Sequence, residues 1–153
     1  SEAVDARLLA KAITHSFDND KFNNETFNIT NGDVFRWQDL WPKLAAMFGM
    51  SAAEPAPLRL SETLYDREAL WQTIVKRHNL QPHSLRDLVG DSFFYADAAF
   101  NASGQLAPPA AILSTIKLRQ AGFHECIDTE QMFAEWLSEL ARLRIIPGSG
   151  GQL

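Results

Sequence analysis

Cysteine is nearly absent from this sequence of 153 residues, which carries only Cys126. No intramolecular disulfide can form, a pattern that fits a reducing compartment, and the expected location is cytoplasmic. Glu125 and Asp128 flank Cys126 and no Lys or Arg stands close by, so nothing favours a thiolate. It reads as a small, half-buried residue. Positive charge is also short: 14 Lys and Arg stand against 19 Asp and Glu, a formal net charge of -5. Such a domain has no general attraction for nucleic acid or anionic lipid, which leaves small molecules or proteins as partners. No apolar run approaches the roughly 18 residues of a membrane span, so no membrane partner is expected. Glu2 and Asp5 occupy positions that a secretory leader would fill with basic and then apolar residues. His78 and His83 miss the i, i+4 spacing of helical metal ligands, and His15 and His124 are isolated, so no metal site is expected. There is neither an internal repeat nor a low-complexity block.

What is present is ordinary globular composition, 46% hydrophobic and 22% charged, in a chain long enough for one domain with a core. Val4, Leu8, Leu9, Ala12, Ile13 and Phe17 form one face of a helix from about Asp5 to Phe17, with Asp5 as its cap. A polar loop follows. Thr26–Thr30 (TFNIT) alternates, with Phe27 and Ile29 on one side, and reads as a short strand. Asn31-Gly32 is a turn signal. A helix then carries Trp37, Leu40, Trp41 and Leu44, with Pro42 in its first turn or kinking it, and Gly49 as a left-handed stop. Ser51 to Arg59 is an extended linker. Ser61 is expected to cap a segment through Leu64, and Asp66 a second helix whose stripe is Leu70, Trp71, Ile74 and Val75, ending near Asn79. Ser84 opens a short helix that stops at Gly90. Ser92 to Phe100 is the most aromatic stretch and fits either a strand or a helix. Asn101 to Pro109 reads as a loop. Ser114 caps a helix Thr115–Ala121 closed by Gly122, and Asp128-Thr129-Glu130 starts a last helix with Met132, Phe133, Trp136, Leu137, Leu140 and Leu143 inward. Residues 148–153 read as a flexible tail. The sum is a helix-dominated α+β fold with few short strands. The single clear strand has no obvious partner in the chain.

The stretch FNITNGDVFRWQDLWPKLAAMFG (Phe27–Gly49) resembles the carboxy-terminal region of the progesterone 5β-reductase and iridoid synthase-like family. These are atypical extended short-chain dehydrogenase/reductases, with bacterial relatives grouped as NAD-dependent epimerase/dehydratase. VDARLLAKA (Val4–Ala12), LWQTIVKRHNL (Leu70–Leu80), FFYAD (Phe93–Asp97), STIKLRQAGF (Ser114–Phe123), DTEQMF (Asp128–Phe133) and RIIP (Arg144–Pro147) extend the likeness in order along nearly the whole chain. The resemblance implies an oxidoreductase in which a Rossmann half binds NADP or NAD and a smaller carboxy-terminal lobe closes over the substrate. Residues 1–147 would be that lobe, a fragment without its Rossmann half. The family's Gly-rich turn and catalytic Tyr and Lys are missing. The one glycine cluster, Gly148, Gly150 and Gly151, follows the last helix, and four residues after Tyr65 and Tyr95 stand Ala69 and Ala99. No cofactor is therefore expected on this chain, and the lobe alone is expected to be inactive. The implied substrate of the intact enzyme is a small apolar or carbonyl compound. The orphan strand edge offers a route to a homodimer. A non-catalytic helical interaction or ligand-binding module is the alternative reading.

By the same resemblance Phe93, Phe94 and Tyr95 are the candidate substrate-binding residues, lining an apolar pocket; the competing reading is a core cluster. Asn31, Gly32 and Asp33 would lie near the substrate mouth or simply build a turn, with Asp33 accepting local amides. The turn is preferred. Trp37 and Trp41 fit core packing better than pocket walls. Lys117 and Arg119, and Glu130, Glu135 and Glu139, read as solvated helix faces.

Overall fold

The structure, a computed structural model, describes residues 1–100 and 112–148. The loop read at Asn101 to Pro109, and all but the first residue of the tail read at Gly148 to Leu153, lie outside them. Among the described residues the fold is helix-dominated: α1 (Ala6–Phe17), α2 (Trp37–Met47), α3 (Leu60–Thr63), α4 (Glu68–His78), α5 (Leu85–Val89), α6 (Ser92–Ala99), α7 (Ile116–Gln120) and α8 (Thr129–Arg142), with 3-10 turns at Asp20–Phe22 and Tyr65–Arg67. The chain forms two compact units, one from Ser1–Leu44 and Ala110–Trp136, the other from Ala45–Pro109 and Leu137–Leu153.

In the first unit, α1 begins at the cap its sequence announces. The buried Asp5 carboxylate accepts the Arg7 amide at 2.7 Å, Arg7 Nε at 3.0 Å, Arg7 Nη2 at 2.7 Å and the Trp136 indole at 3.0 Å. The hydrogen bonds from the Arg7 side chain, above all, hold this carboxyl below the usual carboxylate range, although burial opposes its ionisation. Arg7 continues to Glu135 at 2.8 Å. Behind α1, Leu8 and Ala12 pack with Leu118 and Phe123 into a core edged by Phe22, Phe27, Ile29 and Ile127.

Thr26–Thr30 does not form a strand. Phe27 and Ile29 do border the core, as their alternation requires. The backbone, however, finds scattered partners: Lys117 Nζ donates to the Thr26 carbonyl at 2.9 Å, and Asn31 donates its amide to the Ala3 carbonyl at 2.7 Å. A ladder needs a neighbouring strand in register, and the described residues contain no strand.

Asn31 is fully buried and every polar group it has is used. Its Oδ1 accepts the Asp5 amide at 2.7 Å; its Nδ2 donates to Thr129 Oγ1 at 3.0 Å and to Met132 Sδ at 3.3 Å; its carbonyl accepts the Ile127 amide at 2.9 Å. Asp33 does not serve its own turn. It helps to cap α8, accepting the Thr129 amide at 2.9 Å and the Thr129 hydroxyl at 2.6 Å, beside the local cap Asp128, which accepts the Gln131 amide at 2.7 Å. Gly32 between them has φ +105°, and a Cβ there would come within 3.1 Å of the Cys126 Cβ. Cys126 is exposed rather than half-buried, because Phe123 and Ile127 take the inward positions of that segment.

Of the two placements read for Pro42 the first turn is excluded, and two further details of this unit depart from expectation. Pro42 sits in the interior of α2, beyond its first turn, where its missing N–H leaves the Gln38 carbonyl without the usual helical partner. Trp41 is half exposed, its ring 6.4 Å from Trp37, while Trp37 packs on Phe35 and Phe133 and Leu40 is buried. Finally, α7 is shorter by one residue at each end than read, with Ser114 Oγ only 3.5 Å from the Ile116 amide, although Gly122 closes it at φ +102° as the sequence requires.

In the second unit, Gly49 ends α2 in the left-handed region, with the Met50 and Gly49 amides returning to the carbonyls of Ala45 and Ala46. Ser61 is not the cap of α3, and Asp66 does not cap α4. Asp97, from α6, receives the Leu60 amide at 2.7 Å and the Ser61 amide at 3.1 Å, while Ser61 Oγ is turned to donate to it at 2.6 Å. Residues 65–67 form a 3-10 turn that runs directly into α4, so Asp66 has no free first turn to cap. Along α4 Val75 is buried but Leu70 is exposed, so the inward stripe is narrower than read. Asn79 stops α4 in the left-handed region, and Ser84 caps α5 by accepting the Asp87 amide at 3.0 Å.

Two outcomes follow. Asn31→Ala strands the buried Asp5 amide and should lower the unfolding free energy by about 3 kcal/mol in urea titrations; a change below about 0.5 kcal/mol would contradict a stabilising role for the Asn31 hydrogen bonds. Asp5 has a folded pKa below its unfolded value of about 4, so its contribution is fully present above that value and is lost as pH falls below it. Urea midpoints of the parent chain and Asp5→Asn should differ most near neutrality and converge in acid; a constant gap would contradict the linkage.

Candidate functional site

Gly90 ends α5 at φ +51°, and α6 starts two residues later. The stretch Ser92–Ala99 has apolar residues all round, so no periodicity separates helix from strand. The structure makes it a helix, consistent with its alanines, which favour helix strongly, and with the position of Asp97. At about 100° per residue, Phe93 and Asp97 share one face. That face is the engaged one. Asp97 holds the start of α3, and its carboxyl is pushed below the usual range, foremost by the Ser61 hydroxyl. Phe93 lies 5.0 Å from the ring of Tyr65.

The other two aromatic side chains differ in kind. Phe94 is turned to the flank, 5.6 Å from Tyr65, and remains 55% exposed. Tyr95 points away from the Phe93–Asp97 face and is 76% exposed. The structure therefore divides the three candidates: Phe93 is packed, Phe94 is shared, and Tyr95 is offered outward. Tyr65 is the neighbour that sequence reasoning missed as a site residue, having been considered only for a Tyr-x-x-x-Lys pair. No sequence signal links it to a helix that begins 27 residues later.

Around this aromatic group the chemistry is positional. Glu68 accepts the Leu85 amide at 2.8 Å and the Gln72 side chain at 2.6 Å, and the Trp71 indole donates to the His83 carbonyl at 2.9 Å, which ties α4 to α5. The carboxylates whose titration is displaced, Asp5, Asp39, Asp97, Glu135 and Glu139, are all pushed down by donors beside them. Glu130 pairs with Lys43, and Lys117 pairs with Glu25 at 2.6 Å. Among the described residues no group of His, Cys, Asp and Glu could hold a metal ion.

Gly32 closes a turn, and Gly49, Gly90 and Gly122 close helices. At the amino termini of α1, α3, α5 and α8, side chains of this chain accept some of the first-turn amides. The first unit has an open cavity of about 600 Å³ among Lys11, Thr14, His15, Asp18, Asn19 and Glu125. Lys11 and Glu125 neutralise each other across it, and it contains none of the aromatic candidates.

No family model matches the chain. Individual proteins do. An (S)-8-oxocitronellyl enol synthase from Antirrhinum majus is 32% identical over 149 residues, 95% of this chain and 36% of that protein. One of the same name from Catharanthus roseus is 30% identical over 96% of this chain and 37% of its own length. A 3-oxo-Delta(4,5)-steroid 5-beta-reductase from Arabidopsis thaliana is 28% identical over 95% of this chain and 36% of its own length. The chain thus spans little more than a third of the length of the curated relatives it matches. Over nearly its whole length the chain is a homologue of the iridoid synthase and progesterone 5β-reductase-like proteins, corresponding to a carboxy-terminal part of them.

Proposed function

We propose that this chain is the substrate-binding lobe of an NAD(P)-dependent reductase that acts on a conjugated carbonyl compound, and that the lobe is inactive alone. The carrying observation is the outward aromatic face of α6. Phe94 and Tyr95 stay exposed while Phe93 and Asp97 fasten the helix from the other side. Exposed aromatic surface on a helix held that firmly suits a flat, apolar ligand, and the Tyr95 hydroxyl supplies one polar contact. Relatives named for an enol synthase and a steroid reductase support a substrate with a conjugated carbonyl. The first unit supports the lobe reading from another side. On α1, Leu9, Ile13 and Phe17 form an exposed i, i+4, i+8 stripe beside the buried Leu8 and Ala12, a surface suited to being covered. A nicotinamide cofactor would be held by sequence outside this chain.

The test is expression of the parent gene from its own start codon. Its intact mass should lie far above the 17.1 kDa of this chain. The product should oxidise NADPH or NADH in the presence of 2-cyclohexen-1-one or progesterone, and the 153-residue chain should not. Phe94→Ala and Tyr95→Leu in the full-length product should each raise KM for progesterone by about tenfold, the cost of one lost aromatic contact. A parent product of the same mass as this chain, or one that reduces neither probe, would sink the reading.

A further inference from the structure

Three consecutive aromatic side chains on a helix cannot all meet one ligand, because successive residues are turned by about 100°. The rotation of α6 about its axis decides which rings are presented, and two contacts from the segment Leu60–Arg67 set that rotation. Towards the carboxy-terminal end of α6, Asp97 holds the amides of Leu60 and Ser61. At the amino-terminal end, the Tyr65 hydroxyl donates to the Gly90 carbonyl at 2.7 Å. The Tyr65 ring meets Phe93 and Phe94, with centroids 5.0 and 5.6 Å away. The ring is itself held: the Arg86 guanidinium carbon lies 4.3 Å from its centroid, and Arg86 Nη2 is 3.5 Å from Asp91 Oδ1.

We propose that Tyr65 is a positioning residue for this site, a clamp between Gly90 and the Phe93–Phe94 pair that turns Phe94 and Tyr95 toward the substrate. The proposal rests on the substrate-lobe reading above. A residue that merely filled space would need only its ring. Tyr65 also commits its hydroxyl to the backbone of the residue that sets the entry of α6, and its ring to a cation. With one end of α6 fixed by a carboxylate and the other by a phenol, the helix keeps one rotation. A large, flat ligand that touches both Phe94 and Tyr95 depends on that rotation more than a small one that touches either.

The experiment uses the full-length gene product and measures kcat and KM for NADPH-dependent reduction of progesterone and of 2-cyclohexen-1-one. Tyr65→Phe keeps the ring and removes the bond to Gly90; Tyr65→Leu removes both. Tyr65→Phe should raise KM for progesterone by about three- to tenfold, the worth of one hydrogen bond, with a smaller rise for cyclohexenone and less change in kcat than in KM. Tyr65→Leu should exceed it in the same direction. If Phe94→Ala raises KM for progesterone and Tyr65→Phe does not, the pocket wall stands and the clamp is overturned. A lowered Tm in Tyr65→Phe with no shift in the KM ratio overturns the clamp as well. Unchanged KM values in Tyr65→Phe, Phe94→Ala and Tyr95→Leu alike, or no turnover of either probe by the parent, overturn both the clamp and the lobe reading.

Discussion

The first unit depends on one buried amide side chain. Asn31 can donate twice and accept twice through its side chain, and it can use its backbone besides. Here it joins the Ala3–Asp5 segment, the start of α8 and the Ile127 segment at a single fully buried point. An apolar residue of the same size would leave the Asp5 amide without its acceptor. An aspartate would have nothing to donate to Thr129 or Met132. Everything nearby is arranged on the premise that this residue is satisfied. Asp5 accepts four donors because the Asn31 bond sets where the first turn of α1 begins, and Asp33 reaches Thr129 because Gly32 takes a φ that brings the chain against Cys126.

The second unit uses the same device with different atoms. Asp97 at α3 and Asp33 at α8 are both carboxylates that reach a helix start from far along the chain; at α3 Asp97 stands where a local cap would be, while at α8 Asp33 adds to the local cap Asp128. The two arrangements serve different ends. In the first unit the carboxylate completes a core. In the second it leaves the opposite side of its own helix exposed, and that side carries Tyr95. Among the described residues the displaced carboxylates are all driven toward the charged form by the donors beside them.

Local signals were legible in the sequence where the chemistry is local. The caps at Asp5 and Ser84, the left-handed stop at Gly49 and the helix ends at Asn79, Gly90 and Gly122 were read from one or two residues each, and their geometry depends on little else. The unread features are those that a window cannot contain. Ser61 looked like a cap because serines before helices are caps, but a stronger acceptor arrives from Asp97, 37 residues away from Leu60. TFNIT had the alternation of a strand, and Phe27 and Ile29 do face inward, but alternation says nothing about a partner in register. The aromatic stretch at Phe93 was found as a site candidate through the family likeness, while the different fates of its three rings needed the helix and Tyr65.

Remote capping has a consequence for how the chain reaches this structure. A helix with a local cap can flicker into place while the rest is unfolded, since its first turn carries its own acceptor. The start of α3 cannot do so, because the acceptor of its first amides, Asp97, lies 37 residues beyond Leu60; α8 is in between, with Asp33 as a remote acceptor and Asp128 as a local one for the Gln131 amide. The first turn of α3 gains its acceptor only after that loop has closed, and closure becomes slower and costlier with separation. The residues that begin α3 therefore register the completion of the second unit, not its onset.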